Sequence, residues 1–228
     1  MSPAAGKMSL EDPRVAAVLD RLHRDARRSE IPRILRTLPD VARAWASEGR
    51  DAVGPALFRN AYIPVSAEQG RFMYVTACAI GAKRIVEFGT SFGISTLYLA
   101  AAARDNGGGM VIGSELERHK WEAASTNLAD AGLAEHAEIR HGDARTTFAD
   151  IPGPVDFVLL DGWKELNLPI LDLLRPKLRK GSVVLADDIF RFRNAMAPYV
   201  ELMQSGSNGF RSTSLRIGGG FEYSVYTG

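Results

Sequence analysis

The chain has 228 residues, of which 46% are hydrophobic and 24% charged, enough to close one sizeable core and too few for two ordinary catalytic domains. Its 28 basic and 27 acidic residues give a formal charge of +1, so no global field draws it to nucleic acid or an anionic membrane, and a small-molecule partner is expected. The single Cys78 lies in an apolar stretch from Tyr74 to Ile80 and fits a reducing compartment as a packed small hydrophobe. Residues 1 to 10 carry no basic region followed by an apolar run, and no stretch approaches the ~18 uninterrupted apolar residues of a bilayer crossing, so a soluble, cytoplasmic protein is expected.

Residues 1 to about 10 are small and polar, and disorder is expected there. From Pro13 to Arg28, Val15, Val18, Leu19 and Leu22 recur at helical spacing, with Pro13 near a natural helix start. A second helix is expected from Pro32 to Ala46, where Pro39 can kink or split it. Arginines crowd the segment between Leu22 and Leu35, but Asp25 and Glu30 are interspersed, which describes a solvated helical face. From residue 84 short β-rich runs alternate with helical segments, the pattern of βαβ units and a parallel sheet. Strands are expected over Arg84 to Phe88, Met110 to Gly113, Ala137 to Arg140, Val155 to Leu160 and Ser182 to Ala186. Helices are expected over Thr96 to Arg104, Arg118 to Ala131, Ala144 to Asp150 and Leu166 to Leu178. Ser212 to Ile217 and Phe221 to Tyr226, around Gly218-Gly219-Gly220, form an expected hairpin. The class is α/β: a Rossmann-like, doubly wound, mostly parallel seven-stranded sheet with a C-terminal antiparallel hairpin and helices on both faces.

In such sheets ligands bind at the carboxyl ends of the strands, where the strand order reverses. The turn after the first strand contains Gly89-Thr90-Ser91-Phe92-Gly93. Gly89 allows a tight turn and a close ligand approach, and Gly93 relieves crowding where the next helix begins. The spacing is G-x-x-x-G rather than the G-x-G-x-x-G of a dinucleotide-binding loop, which weakens a pyrophosphate-cradling role. Glu115 ends the second strand, and a carboxylate there can accept hydrogen bonds from both hydroxyls of a ribose, a feature shared by NAD and S-adenosylmethionine.

Strand four runs into Asp161-Gly162-Trp163-Lys164 and strand five into Asp187-Asp188. Three carboxylates gathered at a partly dry sheet edge are costly unless a cation compensates them, and hard oxygen ligands favour Mg²⁺, Ca²⁺ or Mn²⁺. Lys164 can reach the same cleft, where desolvation and a neighbouring divalent cation both lower its pKa and let it act as a base; a surface lysine paired with an acid is the other possibility. Trp163 offers a flat apolar wall for an aromatic acceptor or a core contact.

With these residues in view, the chain resembles the metal-dependent catechol and caffeoyl-coenzyme-A type O-methyltransferases. The likeness begins at Val65 to Gly70 (VSAEQG), continues through Val86 to Ser95 and Glu115, and ends at Gly220 to Gly228. Its most specific block is Asp161-Gly162-Trp163-Lys164, followed by Leu178 to Gly181 and Leu185 to Asp188. The resemblance implies that Val65, Glu87, Gly89, Ser91, Ser95, Glu115 and Ala144 line an S-adenosylmethionine site, with Glu115 on the ribose hydroxyls. It implies that Asp161 touches both that site and the metal, that Asp187 and Asp188 complete the metal ligands, that Lys164 is the general base and that Trp163 borders the acceptor ring. It further implies one methyltransferase domain over 1 to 228, with residues 11 to 62 a helical lid and 63 to 228 the core, assembled as a homodimer. Two departures are visible. The family's Asp-Asn is here Asp187-Asp188, and the acid that catechol enzymes carry before the last strand is missing from Arg211-Ser212-Thr213-Ser214.

Overall fold

The computed structural model describes residues 8–28 and 64–228. The second expected helix, Pro32 to Ala46, lies outside them. Seven strands form one sheet: β1 (Arg84–Phe88), β2 (Met110–Glu115), β3 (Ala137–His141), β4 (Val155–Leu160), β5 (Leu178–Asp187), β6 (Phe210–Leu215) and β7 (Phe221–Tyr226). Their order is β3-β2-β1-β4-β5-β7-β6, with β7 antiparallel to both of its neighbours and every other pairing parallel. The α/β class, the mostly parallel sheet and the C-terminal hairpin are those the sequence pattern implies.

Successive strand residues point to opposite faces, and here both faces are dry. Ile85, Val111, Phe157, Leu159, Val183 and Leu185 enter one apolar cluster, whereas Val86, Ile112, Val158, Leu160, Val184 and Ala186 enter the other. The first face is covered by helical residues 13–28 (α1), α2 (Ala67–Ala79), α3 (Ile94–Asp105) and α4 (Arg118–Asp130). The second is covered by α5 (Ala144–Thr147), α6 (Asn167–Leu174) and α7 (Arg193–Gln204). A fully buried valine or leucine contributes roughly 1.5–3 kcal/mol, so the two clusters supply most of the drive that closes the sheet between its helices. Among the described residues no helix is long and apolar enough to cross a membrane.

Several boundaries differ from the sequence expectations for identifiable reasons. Residues 8–10, expected to be disordered, are ordered: Ser9–Glu11 form a 3-10 turn because the Ser9 amide donates to Asp105 at 2.9 Å and Arg104 Nε donates to the Ser9 hydroxyl at 2.6 Å. The described part of the expected lid, α1, buries Val15, Val18, Leu19 and Leu22 in the core. Strand β5 starts four residues early because a register shift against β4 takes up Arg179 to Gly181, with Gly181 at φ 87°. The hairpin ends at Leu215 rather than Ile217, since the Gly220 amide closes the turn onto the Ile217 carbonyl at 3.0 Å. Two helices, α2 and α7, have no counterpart among the expected elements.

Candidate active site

The strand order turns back between β1 and β4, and their carboxyl ends are joined by a hydrogen bond from the Asp161 amide to the Phe88 carbonyl at 2.8 Å. Gly89 makes this closeness possible. At φ 97°, a Cβ there would lie 2.7 Å from the backbone of Asp161 and Gly162. The chain then passes Ser91 at φ 51° and Gly93 at φ 85° before α3 begins. A cleft opens over this turn, lined by Val65, Gly89, Ser91, Ser95 and Asp161 together with Pro64, Thr90, Phe92 and Ile94. Five of the expected cofactor residues therefore share one wall. As lined by the described residues, the cleft holds about 20 Å³.

Glu115 stands at the end of β2, next to the turn, with its carboxylate accepting the Ser91 amide at 2.7 Å and the Glu117 amide at 2.8 Å. Each oxygen keeps a lone pair for a further donor. Glu87 and Ala144 are buried and are not among the residues lining the cleft. The Glu87 carboxyl lies beneath the turn, where Thr90 donates to Oε2 at 3.0 Å and Thr96 donates to the same oxygen. Among the described residues its Oε1 has no hydrogen-bond partner, although the nearby Ser95 hydroxyl favours the ionised form. Burial outweighs these donors and pushes the carboxyl up to about 7.

Size alone does not mark the site. A larger open cleft of about 690 Å³ lies at the amino ends of the strands, between Lys83, Arg84, Met110, His136 and Asp156. Its one buried acid, Asp156, is already taken up by the amides of Lys83 and Arg84, both at 2.9 Å, and by Arg179 at 2.6 Å.

At the carboxyl ends, Asp161, Asp187 and Asp188 each bring one carboxylate oxygen to within 4.8 Å of the others. Asp187 and Asp188 are buried, at 3% and 6% exposure, so the charge is not diluted by solvent. Burial pushes Asp161 up to about 6 even with Lys164 beside it, and it drives Asp187 well above the usual carboxylate range, reinforced by Asp161 and Asp188. Three hard, crowded, desolvated oxygens held at this spacing fit a divalent cation such as Mg²⁺, Ca²⁺ or Mn²⁺.

Lys164 is where the sequence places it: Nζ is 3.1 Å from Asp161 Oδ1 and 3.8 Å from Asp188 Oδ2. Burial would lower the pKa, but Asp161, Asp188 and Asp187 together outweigh burial and raise it, so without a compensating cation Lys164 is an ammonium clamped by acids. Arg191 Nε adds a second counter-charge 3.6 Å from Asp188 Oδ1. Trp163 caps the 3-10 turn Lys164–Leu166 and packs partly buried against the second apolar cluster.

Sequence reasoning overlooked Gln69. It sits one turn into α2 at 4% exposure and donates from Nε2 to Asp187 Oδ1 at 2.7 Å. The only local signal was Ser66-x-x-Gln69, a capping box in which the Gln69 amide donates to the Ser66 hydroxyl at 3.1 Å and the Ser66 amide donates to Gln69 Oε1 at 2.9 Å.

Residues 86–189 match a methyltransferase domain family. The chain is 37% identical over 130 residues to a catechol O-methyltransferase of Mycobacterium tuberculosis, a match covering 57% of this chain and 58% of that enzyme. It is 30% identical over 141 residues to a caffeoyl-CoA O-methyltransferase of Zea mays, covering 54% and 53% respectively. The matched region thus spans somewhat over half the length of these curated relatives. Among solved structures, a cofactor-bound protein from MTB superposes with a TM-score of 0.66 at 30% identity, covering 82% of this chain and 95% of that one.

Proposed function

Because the chain belongs to the class I S-adenosylmethionine O-methyltransferases of the catechol and caffeoyl-coenzyme-A type, we propose that it transfers a methyl group to a hydroxyl of a small aromatic or vicinal-diol acceptor, with divalent-cation assistance. The observation that carries this is Asp161, which both lines the cleft over the glycine turn and belongs to the three-carboxylate cluster. One side chain thereby sets donor and acceptor side by side.

The reaction is an in-line displacement. An acceptor oxygen attacks the methyl carbon of the sulfonium, the carbon–sulfur bond breaks and a neutral thioether leaves. The glycine turn, Val65, Ser91 and Ser95 hold the donor, and Glu115 accepts hydrogen bonds from its ribose. Trp163 borders the acceptor. A divalent cation bound by Asp161, Asp187 and Asp188 would neutralise the cluster and lower the pKa of an adjacent hydroxyl. With those acids so engaged, Lys164 would lose the charges that hold its proton, could release that proton to solvent and, as the neutral amine, would take the one from the acceptor hydroxyl. The gain comes from positioning and charge, with no covalent intermediate on the protein.

A single domain and a cytoplasmic homodimer complete the proposal on the family resemblance; beyond α1 the expected lid lies outside the described residues. A metal-independent methyltransferase is favoured by one observation: Lys164 and Arg191 already offset part of the acidic charge. The test is release of S-adenosylhomocysteine from S-adenosylmethionine with a panel of phenols and catechols, with and without EDTA. Release abolished by EDTA supports the cation-assisted reading. Release indifferent to EDTA supports the second, and no release with any hydroxyl acceptor leaves a binding protein.

A further inference from the structure

We propose that Gln69 is a positioning residue for the cation site, holding Asp187 so that its Oδ2, and not Oδ1, faces the other two acids. This rests on the cation-assisted reading above. Asp187 Oδ1 accepts two N–H donors, Gln69 Nε2 at 2.7 Å and its neighbour's amide, Asp188 N, at 2.6 Å. Two donors occupy the in-plane lone pairs of that oxygen, which leaves Oδ2 as the atom free to meet a cation.

The amide arm of Gln69 is itself fixed from three directions. The capping box holds Oε1 on the Ser66 amide at 2.9 Å. Asp187 takes Nε2. On the remaining side the hairpin turn closes so tightly that a Cβ at Gly218 would lie 2.2 Å from Gln69 Oε1. At 4% exposure water does not compete for the amide, so its orientation is set by protein groups alone. Groups that orient a metal ligand in this way typically govern affinity by about 10- to 100-fold. Ser66 directly follows Val65 on the cleft wall, so the first turn of α2 braces both halves of the site.

Three variants test this by calorimetric titration of the full-length protein with MgCl₂ or MnCl₂. Gln69→Met, similar in length but without either polar atom, should weaken cation binding at least about tenfold. S-adenosylhomocysteine binding without cation should stay within about twofold, which shows that the variant is folded. Gln69→Asn, one methylene too short to reach Asp187, should show the same loss. Ser66→Ala removes the other half of the capping box while leaving the Gln69 amide in place; it should lower the melting temperature and spare cation affinity. Cation affinity unchanged in Gln69→Met, or weakened equally in Ser66→Ala, overturns the assignment while leaving the cation-assisted reading intact. A wild-type chain that binds neither cation overturns both.

Discussion

The hydroxyl of Thr96, in the first turn of α3, donates to the carboxyl of Glu87 near the end of β1, tying helix to strand beneath the glycine turn. Burial nevertheless raises that carboxyl to about 7 from 4.5. The folded chain therefore keeps a proton that the unfolded chain has released. Stability from this group is complete below about pH 4.5 and is lost as pH rises through 7. Over that window the difference is on the order of 3 kcal/mol. Glu87→Gln still offers an oxygen to Thr90 and Thr96 but has no charge to desolvate. Urea denaturation of both proteins from pH 5 to 8 should show the variant gaining on the wild type as pH rises. Curves that stay parallel would mean that Glu87 is not desolvated as described.

Gly89→Ala should cripple both fold and donor binding. The added Cβ would stand 2.7 Å from the Asp161 carbonyl and the Gly162 nitrogen, backbone atoms that cannot swing aside as a side chain can. Gly107→Ala is the control, since φ is also positive at 84° but nothing lies within 4 Å of its Cβ. The control should lose only the roughly 1–2 kcal/mol of left-handed strain. Gly89→Ala should lose more than that and fail to bind S-adenosylhomocysteine in calorimetry. Equal losses would show that the β1 and β4 ends have room to separate.

Most of the sheet was legible because parallel strands dry on both faces leave short, mostly apolar, β-rich runs: Arg84 to Phe88 and Val155 to Leu160 were bounded correctly to the residue. The acids followed, since strand ends at a switch point are where side chains converge. Helix α7 was missed because Pro198 sits inside it and masks the Met196, Tyr199, Met203 face. Helix α2 was missed because its buried side includes Gln69, Gly70 and Thr76, which break an apolar stripe. The link from Gln69 to Asp187 joins residues 118 positions apart, and nothing local in the sequence encodes such a pair. The cation-free state of Lys164 was not legible for a related reason: its pKa depends on the balance between burial and three acids, a matter of distances rather than of residue types.

Asp188→Asn restores the residue that the resembling family carries. Asp188 has φ 65°, a left-handed conformation that asparagine tolerates as readily as aspartate, so the fold should persist. Removing one charge relieves Asp161 and Asp187, both of which Asp188 pushes upward. The cation-free melting temperature should therefore rise, while Mg²⁺ affinity falls by about tenfold, because carboxylate count tunes affinity at oxygen sites. Unaltered Mg²⁺ affinity would remove Asp188 from the ligand set.

Lys164→Ala separates two roles of one ammonium group. As counter-ion, Lys164 offsets buried acids at 3.1 and 3.8 Å, and deleting one partner of a buried pair typically costs about 3–5 kcal/mol. A divalent cation can assume that role, so the variant should melt well below the wild type in EDTA and recover most of the deficit in Mg²⁺. As base, Lys164 has no substitute. Turnover at saturating Mg²⁺ should fall by about 10²- to 10⁴-fold, with S-adenosylhomocysteine affinity unchanged. A variant that regains both stability and turnover in Mg²⁺ would reduce Lys164 to a counter-ion and assign proton removal to solvent.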